Sequence, residues 1–223
     1  MTIALCLDIS LACTGWIAVR LPMPAAESVR HGDTFIDRNP DPTLVMDGIR
    51  WCGEWPTPVG DSMTARAGAV AQHIDSMLSV LKPQVVAAEM AVQMFSTRRT
   101  DARSMQMQQW SYAVVSATCW QRGTPIIQVS PGPPKATLTG NRNANKTAVA
   151  SALALRYSVG MKSRTQRDWP EGWGSDHVRD ALATAIWLDG QARVYGDTRT
   201  MTEALLRVQK DRPMADWIAR RSW

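Results

Sequence analysis

No stretch of this 223-residue chain comes near the ~18 consecutive apolar residues that a bilayer-spanning helix needs, so nothing in it reads as a membrane span. The opening residues, Met1 to Asp8, carry no basic patch and lead to no small-residue cleavage site. That argues against a secretory leader and for a protein kept in the cytoplasm. Cysteine is scarce. Cys6, Cys13, Cys52 and Cys119 are scattered and never form a C-x-x-C pair, which argues against structural zinc and a disulfide framework and for free thiols, with Cys6 as core filler. There is no internal repeat and no low-complexity tract. Of the three histidines, His31 and His73 have no acidic or metal-ligating company and are assigned no role.

What remains is an ordinary globular composition, 45% hydrophobic and 20% charged, long enough to bury one sizeable core. The net charge is +5 and the basic residues are mostly arginine, which pairs bidentately with phosphate oxygens. Charge alone is equally compatible with a merely basic surface. The positions of the charged residues say more.

An apolar strand over Ile3–Ile9 resumes at Trp16–Arg20, with Thr14-Gly15 as the expected turn of a first hairpin. A third strand is expected near residues 29–36, within a Pro-, Gly-, Asp- and Trp-rich insertion covering about 21–61. Apolar residues at three- and four-residue spacing from Ser62 to Leu81 predict a helix ended by Lys82-Pro83. Further elements are a short buried strand at Val85–Ala88, a helix capped by Asp101 and running to Gln121, and a strand at Ile126–Val129. A loop from Ser130 to Asn145, a helix at Lys146–Tyr157, a second loop over Gly160–Gly174 and a helix stopped near Gly190 follow. The tail from Arg199 carries one more helix. A hairpin followed by alternating strands and helices is an α/β pattern, a mixed sheet with helices on both faces. The simplest partition is one domain over 1–192 and a C-terminal helical extension over 193–223.

The most informative run is Ser175-Asp-His-Val-Arg-Asp-Ala-Leu-Ala183. His177 and Asp180 lie three residues apart, and Asp176 and Asp180 four, so on a helix they share a face. Imidazole and carboxylate would then converge on one point, as a hard divalent cation requires. Asp8 and Glu89 each end a predicted strand, where metal sites are often built. Asp176, following Ser175, reads equally as a helix N-cap or as an extra ligand that replaces or assists His177. Lys135, Arg142 and Lys146 flank a polar loop and are candidates for phosphate contact. Arg98, Arg99 and Arg103 could line the same groove or form a solvated helix entry. Trp110, Trp120 and Trp187 fit helix faces and are expected in the core; Trp51, Trp55, Trp169 and Trp173 fall in expected loops, where base stacking is an option.

Several of these segments together resemble the RuvC-type Holliday-junction resolvases of the ribonuclease H-like superfamily. They are Leu7-Asp8-Ile-Ser-Leu-Ala-Cys-Thr14-Gly15-Trp16, Val85-Val-Ala-Ala-Glu89, Pro134-Lys135-Ala-Thr-Leu-Thr-Gly140, Ala144-Asn-Lys146 and His177-Val-Arg-Asp180-Ala-Leu-Ala183. In order and rough spacing the match spans most of residues 1–192. It implies a five-stranded mixed sheet flanked by helices. It also implies a structure-selective endonuclease that nicks four-way and related branched DNA in symmetric pairs by two-metal hydrolysis, and a homodimer, for which the Asp101–Gln121 helix is a candidate surface. Carried over by position, Asp8, Glu89, His177 and Asp180 are the metal ligands and catalytic residues, with Mg²⁺ as the ion and Mn²⁺ able to substitute. Lys135 and Lys146 match the positions near the scissile phosphate and the DNA backbone, which makes Lys146 a further catalytic residue on this resemblance. The family's aromatic wedge falls near Val92, with Phe95 close by. The extra length suggests a bacteriophage or mobile-element version. The rivals are a ribonuclease H-like nuclease for linear or single-stranded substrates, a catalytically inactive branched-DNA-binding protein, and an actin-like or sugar-kinase ATPase. The last would need a second phosphate-binding glycine loop, which the sequence lacks.

Overall fold

A computed structural model describes residues 2–10, 12–23, 49–57, 62–89, 102–157, 159, 169 and 173–209, with residues 49–50 and 102–105 as backbone only. The expected strand near 29–36, the Asp101 cap, Arg98, Arg99, the Val92–Phe95 position and everything after 209 lie outside the described residues.

Five strands, β1 (Thr2–Asp8), β2 (Cys13–Leu21), β3 (Ile49–Pro56), β4 (Val85–Glu89) and β5 (Ile126–Val129), form one sheet in the order β3-β2-β1-β4-β5. The β1, β2 and β3 pairings are antiparallel, whereas β1–β4 and β4–β5 are parallel. Helices α1 (Met63–Leu81) and α2 (Ala102–Gln121) pack with Leu5, Leu7, Ala18, Val86 and Ala88 on one face. The other face, with Ala4, Cys6, Ile17, Val85 and Ala87, receives α4 (Lys146–Arg156), α5 (Asp176–Tyr195) and α6 (Thr198–Val208); α3 (Gly132–Thr139) precedes them. Strands β1 and β4 are covered on both faces, which is why they read as continuous apolar runs rather than alternating ones.

Local chemistry sets the helix ends. The Ser62, Asn145, Ser175 and Asp197 side chains accept backbone N–H groups at the starts of α1, α4, α5 and α6. Lys82, at φ 47°, closes α1. The centre of the molecule is α5, which buries Val178, Ala181, Leu182, Ala185, Ile186 and Leu188 against the sheet, about 1.5–3 kcal/mol for each fully buried large aliphatic. Helix α6 adds Met201 and Leu206 to the same core. The Gln209 carboxamide, just past it, donates to the Gln128 carbonyl at 2.6 Å and accepts from its N–H at 3.0 Å, occupying part of the β5 edge.

Four expectations are corrected. Thr14-Gly15 is inside β2 rather than in the turn; the turn is held by Ser10, whose hydroxyl donates to the Cys13 carbonyl at 2.7 Å and accepts from its N–H at 2.9 Å. Part of the expected irregular insertion is strand β3, paired along β2. Residues 132–139 are helical, because Pro133 and Pro134 occupy a first turn, where missing N–H groups cost nothing. Helix α5 runs through Gly190 and ends at Gly196, whose φ of 82° provides the left-handed cap.

Gly15 has a different reason to be glycine. A Cβ there would lie 2.2 Å from the backbone carbon of His177 and 2.4 Å from its carbonyl oxygen, so α5 rests directly on the β2 backbone. Backbone cannot rotate away as a side chain can. Gly15→Ala is therefore expected to destabilise the protein by about 3 kcal/mol, at the upper end of overpacking costs, read as a lowered urea midpoint at constant slope.

Candidate functional site

Strand register builds the first half of the site. Asp8 pairs with Glu89 across β1 and β4 and with Gly15 across β1 and β2, and Gly15 pairs with Glu54 across β2 and β3. Glu54, Gly15, Asp8 and Glu89 thus form one transverse row, and paired positions present their side chains to the same face. That face carries α5. The gap left by Gly15 is filled by the first turn of α5, which lowers His177 between two carboxylate-bearing strands.

His177 Nδ1 lies 2.6 Å from Asp8 Oδ2, with the two side chains 34% and 19% exposed. Hydrogen bonding to Asp8 raises the His177 imidazole above its ordinary value. Glu89 is pushed up to about 8, first by burial and then by the like charges of Asp8 and Asp180. Asp180 is raised too, by burial first and Asp8 next. Lys135 on α3 and Lys146 at the start of α4 act in the opposite direction on both carboxyls. The structure thus sets His177 against Asp8 and pairs Asp8 with Glu89, with Asp180, Lys135 and Lys146 near enough to act electrostatically on Glu89. Arg142 is exposed and folds back over the start of α3, its Nε 3.3 Å from where a Gly132 Cβ would stand.

Among the described residues no three His, Cys, Asp or Glu side chains meet closely enough to form a finished ion cage. The strand register and the mutual charge effects nevertheless point to a single neighbourhood. The donors suit a divalent cation: three carboxylates and one imidazole, partly buried, with excess negative charge and hard oxygen atoms in the majority.

Asp176 is not the N-cap; Ser175 is. Its carboxylate is engaged by two cations, Lys146 Nζ at 3.3 Å and the Arg179 guanidinium. Two acid-side residues escaped the sequence reading. Glu54 joins the row from β3, and Cys13 Sγ lies 3.6 Å from Glu54 Oε2, its thiol pushed up to about 11 by burial, Glu54 and Asp8. Only the β2–β3 register, hidden in a segment with a poor pattern, could have revealed them. The tryptophans also rearrange. Trp173 is fully buried edge-on to Tyr157 at 4.9 Å, and the Arg179 guanidinium lies 5.1 Å from the Trp169 ring. Trp55 belongs to β3 and stacks with Trp16 at 5.5 Å and His73 at 4.9 Å; Trp51 is on the same strand. Trp110 and Trp120 are 44% and 55% exposed rather than core, while Trp187 packs against the core.

No family model matches the chain. It is 27% identical over 194 residues to the crossover junction endodeoxyribonuclease RuvC of Pseudarthrobacter chlorophenolicus, covering 86% of this chain and 91% of that one. A second RuvC, from a Parafrankia species, is 30% identical over 130 residues, 58% of this chain and 65% of its own. The fold superposes on Thermus thermophilus RuvC in complex with Holliday junction substrate at a TM-score of 0.60 and 18% identity, covering 87% of this chain and 96% of that one. The chain is RuvC-like in sequence and in fold. The yeast mitochondrial Holliday junction resolvase Ydc2 also superposes, at a TM-score of 0.50 and 13% identity over 91% of this chain and 84% of that one. The five-stranded mixed sheet flanked by helices that was expected for a RuvC-like chain is present, with β3 at Ile49–Pro56. Among the described residues no helix is long and apolar enough to cross a membrane.

The raised carboxyls make this site costly to ionise. A group whose folded pKa exceeds its unfolded value contributes stability below the unfolded value, lost as pH rises through the folded one. For Glu89 that window runs from 4.5 to about 8, and the raised Asp180 and His177 have the same sign. In chelator the melting temperature is expected to fall from pH 5 to pH 8, with a Glu89 contribution on the order of 2–4 kcal/mol. Glu89→Gln should flatten that slope and melt higher than wild type at pH 8, measured by calorimetry.

Proposed function

We propose that this protein is a divalent-metal-dependent endonuclease that resolves Holliday junctions and related branched DNA by paired symmetric nicks. The observation that carries the reading is the Asp8–His177 contact, set in a row of carboxylates with two lysines beside it, in a fold shared with RuvC. Asp8, Glu89, His177 and Asp180 are the proposed ligands, Mg²⁺ the proposed ion and Mn²⁺ a substitute, on the ground that oxygen donors dominate. When bound, such ions polarise the phosphoryl oxygen and neutralise charge on the leaving oxygen.

The chain's own groups do the rest. Asp8 stands on a strand buried on both faces, so its carboxylate is fixed by the core rather than by a loop. With Nδ1–H donated to Asp8, His177 is oriented and Nε2 keeps the ring's one lone pair, for use either as a ligand to the ion or, in place of that, to take a proton from the attacking water. Lys135 and Lys146 approach the acids from α3 and α4, where they would hold the phosphate oxygens and offset the negative charge of the pocket. Arg142, on the turn between those helices, would extend the basic surface along the DNA backbone. The same reading places its work in the cytoplasm, on the DNA of a bacterial or phage-infected cell.

The test is direct. Labelled four-way junction, flap, linear duplex and single strand are incubated with the protein in Mg²⁺, Mn²⁺ or chelator, beside Asp8→Asn. Paired incisions in the junction, metal-dependent and reduced roughly a hundred-fold or more in the variant, are expected. Equal cutting of every substrate would favour a linear-substrate nuclease, and tight junction binding without any incision an inactive binding protein.

We also propose a homodimer formed through α2. Exposed Trp110 and Trp120 lie on this helix, and Trp120 borders a cleft lined by Tyr112, Ser116, Ala117, Ile126 and Gln128. Trp120→Glu is expected to shift the protein from dimer to monomer in sedimentation velocity. Its melting temperature should become independent of concentration.

A further inference from the structure

We propose that Asp176 is a positioning residue for Lys146, holding its ammonium beside the acidic centre through one carboxylate oxygen while Arg179 locks the other. This rests on the nuclease reading above. Asp176 is the first residue of α5, directly after the capping Ser175, so its backbone is fixed by the helix that rests on Gly15. Its Oδ2 lies 3.3 Å from Lys146 Nζ and its Oδ1 accepts from Arg179.

Arg179 cannot easily yield. Only 12% of its side chain is exposed, and Nη1 donates to the Gly174 carbonyl at 2.6 Å and the Trp173 carbonyl at 3.2 Å. Its guanidinium also lies 5.1 Å from the Trp169 ring. The mostly covered arginine therefore anchors the carboxylate, and the carboxylate in turn anchors a lysine that is 58% exposed.

Lys146 needs such a partner. It is the first residue of α4, where the positive end of the helix dipole disfavours a cation, and its four-carbon stem would otherwise let the ammonium sweep a wide arc. An exposed ion pair of this kind fixes geometry more than it adds stability, and geometry is what a group aimed at a phosphate requires. Both oxygens of Asp176 being taken by cations, it is a support for the basic side of the site rather than a metal ligand.

The experiment compares wild type with Asp176→Asn, Asp176→Glu, Lys146→Ala and the double variant Asp176→Asn/Lys146→Ala. Single-turnover cleavage of a four-way junction is measured in Mg²⁺, junction affinity in EDTA, and acetylation of the Lys146 amine by mass spectrometry. Asp176→Asn is expected to slow cleavage about five-fold with junction affinity unchanged within about two-fold, and to raise Lys146 acetylation about three-fold. Asp176→Glu should recover most of the rate. In the Lys146→Ala background the Asp176→Asn change should cost nothing further, because a residue acting only through Lys146 has nothing left to act on. Additive losses, or Lys146 acetylation unchanged by Asp176→Asn, would overturn the proposal. Should wild type cut no junction while the acetylation still responds, the nuclease reading falls and the positioning of Lys146 stands.

Discussion

The missing Cβ of Gly15 is the constraint on which the site depends. Because the β2 backbone is bare at that position, the first turn of α5 descends to contact distance and places His177 against Asp8. A methyl group there would push out the helix carrying His177 and Asp180, leaving the strand-borne Asp8 and Glu89 without their partners. One position therefore couples sheet packing to site assembly. The apolar contacts of Val178, Ala181, Leu182 and Ala185 supply the free energy that holds the helix against so close an approach.

Electrostatics then sets two tendencies against each other. Burial and crowding disfavour ionised carboxylates, as the raised Glu89 and Asp180 show. The lysines on α3 and α4 counter this, yet they arrive from one side and are shared with Asp176 and, in the proposed reaction, with DNA. In the proposed site a bound divalent ion would offset the same negative charge.

Much of this was legible in the sequence, for identifiable reasons. β1, β4 and β5 showed as short apolar runs because a central strand is buried on both faces, and α1 showed through helical periodicity. Asp8, Glu89, His177 and Asp180 stood out because strand ends and helical spacing are local properties. What was hidden was non-local. Gly15 read as a turn because a glycine required by a distant helix looks the same as one required by a bend. Glu54 was invisible because only strand pairing puts it in the row. Prolines in a first helical turn imitated a loop at α3, and Gly190 imitated a helix end although the left-handed cap is at Gly196. The tryptophans inverted, Trp173 buried and Trp110 and Trp120 exposed, because side-chain type does not say which face another element will cover.

The same distinction between local and non-local explains how the two halves of the site differ. The acidic half stands on strands fixed by the core and on a helix pressed onto Gly15, so its geometry is tied to global stability. The basic half stands on the first turns of two short helices, α3 and α4, where Lys135 and Lys146 carry long flexible stems. A catalyst of phosphate hydrolysis needs both halves in register. In the proposed site the rigid half would reach the flexible one through Arg179 and Asp176, which belong to α5, the same helix that carries His177 and Asp180. Placing the acids and the anchor for a lysine on one helix means that whatever seats α5 aligns both halves at once.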